Sequence, residues 1–167
     1  DISVATIPVG DREAPEFGIL KSQEGLITAF VEKPKKELLS DWLSDTGQEM
    51  KVAGRNYLAS MGIYIFNRKL LFELLQHEFL QATDFGKEII PSLVQDKDIR
   101  CHVFDDYWED IGTVRAFFDA NLQLTEPVPS FNFYDEDHPI YNYPDILPTA
   151  KLTHCDMDRT TVASGCM

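Results

Sequence analysis

Residues 58–66 read Leu-Ala-Ser-Met-Gly-Ile-Tyr-Ile-Phe, a nearly continuous apolar run of strand length. Such a run is expected of a strand buried on both faces, which demands a sheet with layers on either side of it. The segments around it alternate in the way a layered α/β domain requires. Ile2–Ile7 alternates and is rich in β-branched residues. Phe17–Lys21 and Leu26–Glu32 flank Ser22-Gln-Glu-Gly25 and read as a hairpin. Lys36–Ser44 sets Leu38, Leu39, Trp42 and Leu43 at helical spacing. Asn67 is placed to cap a helix carrying Leu70, Leu71, Leu74 and Leu75, and Asp84 a shorter one through Ile89, Ile90 and Leu93 that Pro91 should end early or kink. Ile99–Phe104 reads as a strand, and Thr113 as the cap of a helix with Val114, Phe117, Phe118 and Leu122.

After Leu124 the texture changes. Pro127, Pro129, Pro139, Pro144 and Pro148 recur among aromatic and acidic residues, so 125–148 reads as a linker that packs through Phe131, Phe133, Tyr134 and Tyr141. Beyond it, Leu152, Met157-Asp158 and Val162-Ala-Ser-Gly165 follow a six-residue rhythm, expected of the opening coil of a β-solenoid that needs stacked neighbours. The chain starts directly in a strand pattern and stops at Gly165-Cys166-Met167, so a piece of a longer protein is expected.

Charge excludes some functions. With 15 basic against 28 acidic residues the net charge is -13, which repels a phosphate backbone and an anionic membrane surface alike. No apolar run approaches the ~20 residues of a membrane span. At 44% hydrophobic, the 167 residues carry enough apolar material for a core. Cys101, Cys155 and Cys166 are far apart and read as free cytosolic thiols.

Four places can carry chemistry. Glu32-Lys33-Pro34 closes a strand, and Pro34 is expected to lead the chain out of the sheet while keeping Lys33 extended. Strand ends of this kind bind ligands in open α/β sheets. Lysine holds a phosphate as a point charge, and a carboxylate accepts hydrogen bonds from hydroxyls. A solvated charge pair at a turn is the plainer alternative. Ser60 and Tyr64, four apart in the apolar run, share a face and need partners from protein or ligand. Asp84-Phe85-Gly86 offers a carboxylate and a ring, although capping alone accounts for Asp84.

The segment Tyr107-Trp-Glu-Asp-Ile-Gly-Thr113 adds Glu109 and Asp110 to Asp105 and Asp106. Clustered carboxylates call for a cation, magnesium being the oxygen-loving candidate, unless they are solvated and Asp110 only orients the helix start. There is no Gly-rich phosphate loop, no Ser/His/Asp signature and no zinc spacing; His77, His102, His138 and His154 are isolated.

In order along the chain, Phe17-Gly18, Phe30-Val-Glu-Lys-Pro34, Ala59-Ser-Met-Gly-Ile-Tyr64, Asp84-Phe-Gly-Lys-Glu-Ile-Ile-Pro91 and Tyr107–Thr113 resemble the second half of the catalytic domain of glucose-1-phosphate adenylyltransferases (ADP-glucose pyrophosphorylases). Phe133-Tyr-Asp135, Pro139-Ile140, Leu147-Pro148 and Ala150-Lys151 resemble that family's passage into a C-terminal left-handed β-helix.

The resemblance implies an α/β, Rossmann-like nucleotidyltransferase domain with a mixed sheet. It implies three parts: 1–124, the C-terminal half of the catalytic domain; 125–148, a linker; and 149–167, the truncated start of the β-helix. It implies conversion of ATP and glucose 1-phosphate to ADP-glucose and pyrophosphate, in glycogen or starch synthesis. The full-length protein would be an allosteric, cytoplasmic homotetramer, or plastid-borne if from a plant or alga, with no nucleic-acid or membrane partner. Lys33 would hold the sugar phosphate and act in catalysis. Glu32, Ser60, Tyr64, Asp84, Phe85 and Trp108 would line the glucose pocket, and catalytic Asp110 would be one of two aspartates binding Mg2+.

The nucleotide loop and the other metal aspartate of that family are not in this sequence, so the chain alone is expected to be inactive. Lys35–Tyr57 matches no motif and reads as a variable, mobile insertion. Two alternatives stay open: a nucleotidyltransferase for another NDP-sugar, or a non-catalytic regulatory subunit.

Overall fold

β1 (Ile2–Val9) lies between two partners, antiparallel to β4 (Tyr57–Phe66) and parallel to β5 (Ile99–Val103). The structure, a computed structural model, describes residues 1–141 and 146–166. Pro144 of the expected linker and Met167 at the chain end therefore lie outside the described residues. The remaining strands are β2 (Gly18–Gln23) and β3 (Leu26–Glu32), the expected hairpin. Their turn has φ of 51° at Glu24 and 78° at Gly25, the positive pair that a tight right-twisted hairpin needs.

The described residues divide into two units, Asp1–Asp105 and Asp106 onward. In the first, the strand order is β1-β4-β2-β3-β5, with β5 returning to β1. The expected mixed sheet is present, but it is a small closed ring rather than an open Rossmann-like sheet. Closure between β3 and β5 rests on one residue pair, Leu26 with Arg100, and on the Cys101 N–H donating to the Gly25 carbonyl at 2.9 Å. Irregularities in β1/β4 pairing and β2/β3 pairing supply the extra bending that closure needs.

Both faces of the sheet are covered, at different places. Ile2, Val4, Leu20, Ile27, Leu58 and Ile99 pack with Leu74, Ile89, Ile90 and Leu93 from the helical segments. On the other face Val9, Ile19, Tyr57 and Ala59 meet Ala14, Leu39 and Trp42. Lys35–Tyr57, expected to be a mobile insertion, thus contributes to a core. Its Lys36–Trp42 part is a 3₁₀ helix, whose three-residue period puts Leu39 and Trp42 on one side and leaves Leu38 and Leu43 half exposed.

Another correction concerns the apolar run. Only Tyr57–Ser60 are buried; Ile63 and Ile65 are 52% and 72% exposed. Between paired positions Thr6/Ser60 and Val4/Tyr64, β1 advances two residues and β4 four. Gly62, at φ 71°, lies within that bulge.

The helix-start signals at Asn67, Asp84 and Thr113 hold. The side chain of Asn67 accepts from the Lys69 N–H to open α2 (Arg68–Glu73). Asp84 accepts from the Lys87 N–H and opens a wide turn, Phe85–Ile89. Pro91 stands in the first turn of the short α3 (Ile90–Leu93) that follows, where its missing N–H costs nothing. A single helical turn, α1 (Gln48–Val52), is exposed.

The second unit contains α4 (Val114–Gln123), capped by Thr113 accepting from the Ala116 N–H at 3.1 Å. Phe131 stacks on Tyr107 and meets Phe133 edge-on, whereas Tyr134 and Tyr141, expected to pack, are 85% and 92% exposed. Among the described residues 149–166 there is no strand, and no β-helix coil is formed. Two backbone bonds close a loop there: Lys151 N–H to the Cys166 carbonyl, and Gly165 N–H to that of Pro148. An isolated coil has no neighbouring coil to take its ladder hydrogen bonds. No helix among the described residues is long and apolar enough to cross a membrane.

Candidate functional site

Glu32 is the last residue of β3 and faces Gly18 across the β2/β3 ladder. It shares a face with Phe30, which packs on the main core, and is itself half-buried. Burial, and next the charge of Asp84, raise its carboxyl above the ordinary glutamate value; Lys33 and Lys87 pull the other way. A carboxyl oxygen at this half-buried position can accept hydrogen bonds from uncharged hydroxyls.

Ser60 and Tyr64 do share a face, although by a different route from simple alternation. The bulge adds two residues to β4, and an even insertion preserves the period of two. Their hydroxyls stand 3.4 Å apart, and Ser60 Oγ also accepts from the Gly62 N–H at 3.3 Å. Burial raises the Tyr64 phenol; the Ser60 contact opposes this, while Glu32 and Asp84 reinforce it. The phenol therefore stays a neutral donor.

Asp84 and Phe85 open the wide turn at the same place. Glu88 Oε1 returns the cap by accepting from the Asp84 and Thr83 N–H groups at 3.0 and 2.9 Å. Phe85 stacks on Tyr64, ring centroids 5.9 Å apart, and lies 5.6 Å from Phe66. An apolar ring wall thus stands beside acceptors and hydroxyls, a combination suited to a polyol with one C–H face.

Lys33 departs from expectation. It is left-handed, φ 48°, not extended, despite the proline that follows. Its N–H donates to the Phe17 carbonyl at 3.1 Å, and Pro34 is buried, so tertiary contacts hold a conformation that a lysine disfavours. The side chain is exposed.

Trp108 and Asp110 belong to the second unit. Trp108 is partly buried. Asp110 is exposed, and its Oδ1 accepts from the Gly112 N–H at 3.1 Å. The helix start itself is capped by Thr113, so Asp110 is not needed for that task.

A family model described as "Nucleotidyl transferase" matches residues 1–127. The chain belongs to the nucleotidyl transferase family. It is also similar to "Glucose-1-phosphate adenylyltransferase small subunit, chloroplastic/amyloplastic" of Triticum aestivum, with 39% identity over 174 aligned residues. That alignment covers 100% of this chain and 37% of the wheat protein, so the chain spans a little over a third of its relative's length. The kinship read from the ordered motifs is borne out.

Nucleotidyl transferases generally use a divalent metal. Among the described residues no group of three His, Cys, Asp or Glu side chains could hold an ion. Asp110 fits one ligand position: a hard, exposed carboxylate with one oxygen steadied by a backbone N–H. A magnesium ion that takes one or two carboxylates and completes its shell with phosphate oxygens and water is compatible with that donor set.

Sequence reasoning did not single out Gly18, Phe66 or Lys87, which border this place: Gly18 faces Glu32 across the ladder, the Phe66 ring meets Phe85, and Lys87 Nζ lies 3.7 Å from Asp84. Each lies within or beside a quoted motif. Their roles depend on approaches between elements, which spacing along the chain does not reveal.

Proposed function

We propose that the full-length protein joins ATP and glucose 1-phosphate to give ADP-glucose and pyrophosphate, in glycogen or starch synthesis, and that this chain carries the sugar-phosphate side of the site. The observation that carries the reading is the gathering of Glu32, Ser60, Tyr64, Asp84 and Phe85 at one place in the first unit, beside Lys33. The wheat relative's name, which specifies a glucose-1-phosphate adenylyltransferase, agrees with it.

A phosphate oxygen of the sugar attacks the α-phosphorus of ATP in line, and pyrophosphate leaves with the bond electrons. Such chemistry needs alignment and charge neutralisation rather than a strong acid or base. Lys33 holds the sugar phosphate as a point charge. Glu32 and Asp84 accept from glucose hydroxyls, Ser60 and Tyr64 supply hydroxyl partners, and Phe85 and Trp108 offer ring faces. Asp110 would bind magnesium with a second aspartate from outside this chain; when bound, the ion neutralises charge building on the transferring phosphoryl group.

In the same reading, 1–124 is the C-terminal half of the catalytic domain, 125–148 a linker and 149–167 the opening of a left-handed β-helix completed by following coils. The chain by itself is inactive, and the full-length protein is an allosteric homotetramer in the cytoplasm, or in a plastid as the wheat name specifies for that protein.

Lys33→Ala in the full-length protein tests the reading. Losing a charge-assisted contact of roughly 1.5–3 kcal/mol should raise KM for glucose 1-phosphate about ten- to a hundredfold, with ATP little affected. Equal losses for both substrates would overturn a sugar-phosphate role. The alternative reading is a non-catalytic regulatory subunit of the same fold. Turnover by the full-length protein made alone would exclude it. Assayed with different nucleoside triphosphates, the same preparation identifies the base.

A further inference from the structure

The Glu32 carboxylate is hemmed in by two glycines from different elements. A Cβ placed on Gly18, in β2, would lie 2.7 Å from Glu32 Oε2 and 2.6 Å from Phe30 Cζ. A Cβ on Gly86, in the turn that Asp84 caps, would lie 3.0 Å from the same Oε2, with Asp84 Oδ1 at 3.4 Å and Glu32 Cδ at 3.5 Å. Both glycines are buried.

The two glycines differ in what they accommodate. Gly18 makes room for the Phe30 ring as well as for Glu32, so packing alone accounts for it. At Gly86 the three nearest atoms all belong to the two acids. Nor does the backbone require glycine at 86: its φ is outside the left-handed region, unlike Gly25 or Gly62. In a helical turn alanine is the better residue. Glycine at 86 is therefore locally unfavourable, and its observed benefit is space for the carboxyl groups of Glu32 and Asp84.

We propose that Gly86 is a positioning residue for the sugar phosphate: the missing side chain lets the carboxylates of Glu32 and Asp84 converge on one spot, spaced to accept from glucose hydroxyls. This rests on the site reading given above. Any side chain at 86 displaces the Glu32 carboxylate, and hydrogen bonds are lost steeply with misplacement. Gly86 touches no substrate; it acts through Glu32.

The test compares Gly86→Ala, Glu32→Ala and the double variant in the full-length protein. Gly86→Ala should raise KM for glucose 1-phosphate about tenfold, the loss of one charge-assisted hydrogen bond. KM for ATP and the melting temperature should not fall or rise to match, since alanine is compatible with the turn. In the Glu32→Ala background, Gly86→Ala should add nothing. Pairing Gly86→Ala with Glu32→Asp, which withdraws the acid by one methylene, should recover part of the loss. The proposal is overturned if Glu32→Ala raises KM for the sugar phosphate but Gly86→Ala does not. Multiplying effects in the double variant, or equal losses for both substrates, overturn it as well. If Glu32→Ala itself leaves that KM unchanged, the site reading fails and the positioning role falls with it.

Discussion

Residues 1–105 are held by burial and long-range strand pairing, whereas the described residues from 106 onward are held by exposed polar contacts and a few ring contacts. Every buried residue among those described belongs to the first unit, from Ile2 to Ile99. In the second, Phe117, Phe118 and Leu122 of α4 are each more than half exposed and Val114 is 89% exposed. What orders it is the Thr113 cap, the Arg115–Asp119 pair one turn apart, the Tyr107–Phe131–Phe133 rings and the Arg159–Glu126 bridge. Surface ion pairs of that kind contribute little. The comparison teaches that the proposed sugar pocket stands on a cooperative core, while Trp108 and Asp110 stand on a unit without one.

Truncation tests that contrast most strongly. Leu58→Ala removes a fully buried side chain from the main core and should cost about 2–5 kcal/mol in a denaturant titration of this chain. Leu122→Ala, on the 51% exposed side chain of α4, should stay within about 0.5 kcal/mol. Similar costs would mean that the second unit folds around a core after all.

Asp110→Asn separates function from scaffold in the coreless unit. In the full-length protein kcat should fall on the order of a hundredfold, partly recovered by raised magnesium, as for loss of one strong electrostatic stabiliser. The melting temperature should hold, because Thr113 and not Asp110 caps α4. A lower melting temperature with normal kcat would return Asp110 to a purely local role.

The smallest expected effect is at Glu32, in the unit that has a core. Its carboxyl is raised in the folded state, first by burial and then by Asp84. Folding is therefore unpenalised at acid pH, where the group is protonated in both states, and loses stability as pH rises through the folded-state value. Glu32→Gln should raise the melting temperature slightly at pH 7, and the gain should vanish below the ordinary glutamate range. A loss of stability at pH 7 would show that ionised Glu32 supports the fold.

Features decided within one turn of chain were legible in the sequence. Asn67, Asp84 and Thr113 all cap as expected, since a cap is a hydrogen bond across two or three residues. The β2/β3 hairpin and the family's ordered motifs were legible for the same reason. Within the site, the shared face of Ser60 and Tyr64 was found, although the parity was saved by a two-residue bulge no periodicity reveals.

What failed was whatever depends on a distant partner. Pro34 suggested an extended Lys33, yet the Phe17 carbonyl and the burial of Pro34 hold it left-handed. The apolar composition of 58–66 suggested burial along its whole length, yet Ile63 and Ile65 are more than half exposed. Hydropathy records what a residue prefers, not what the chain places against it.

By itself, then, the sequence determined the family, the caps, the hairpin and the identity of the candidate site residues, because propensity, capping and motif order are written in neighbouring residues. The tertiary structure alone decided the closed strand ring, the handedness at Lys33 and the meeting of Gly18, Glu32, Asp84 and Gly86. Those depend on how separate elements approach one another, and close packing fixes such distances to within a few tenths of an ångström only after the core has formed.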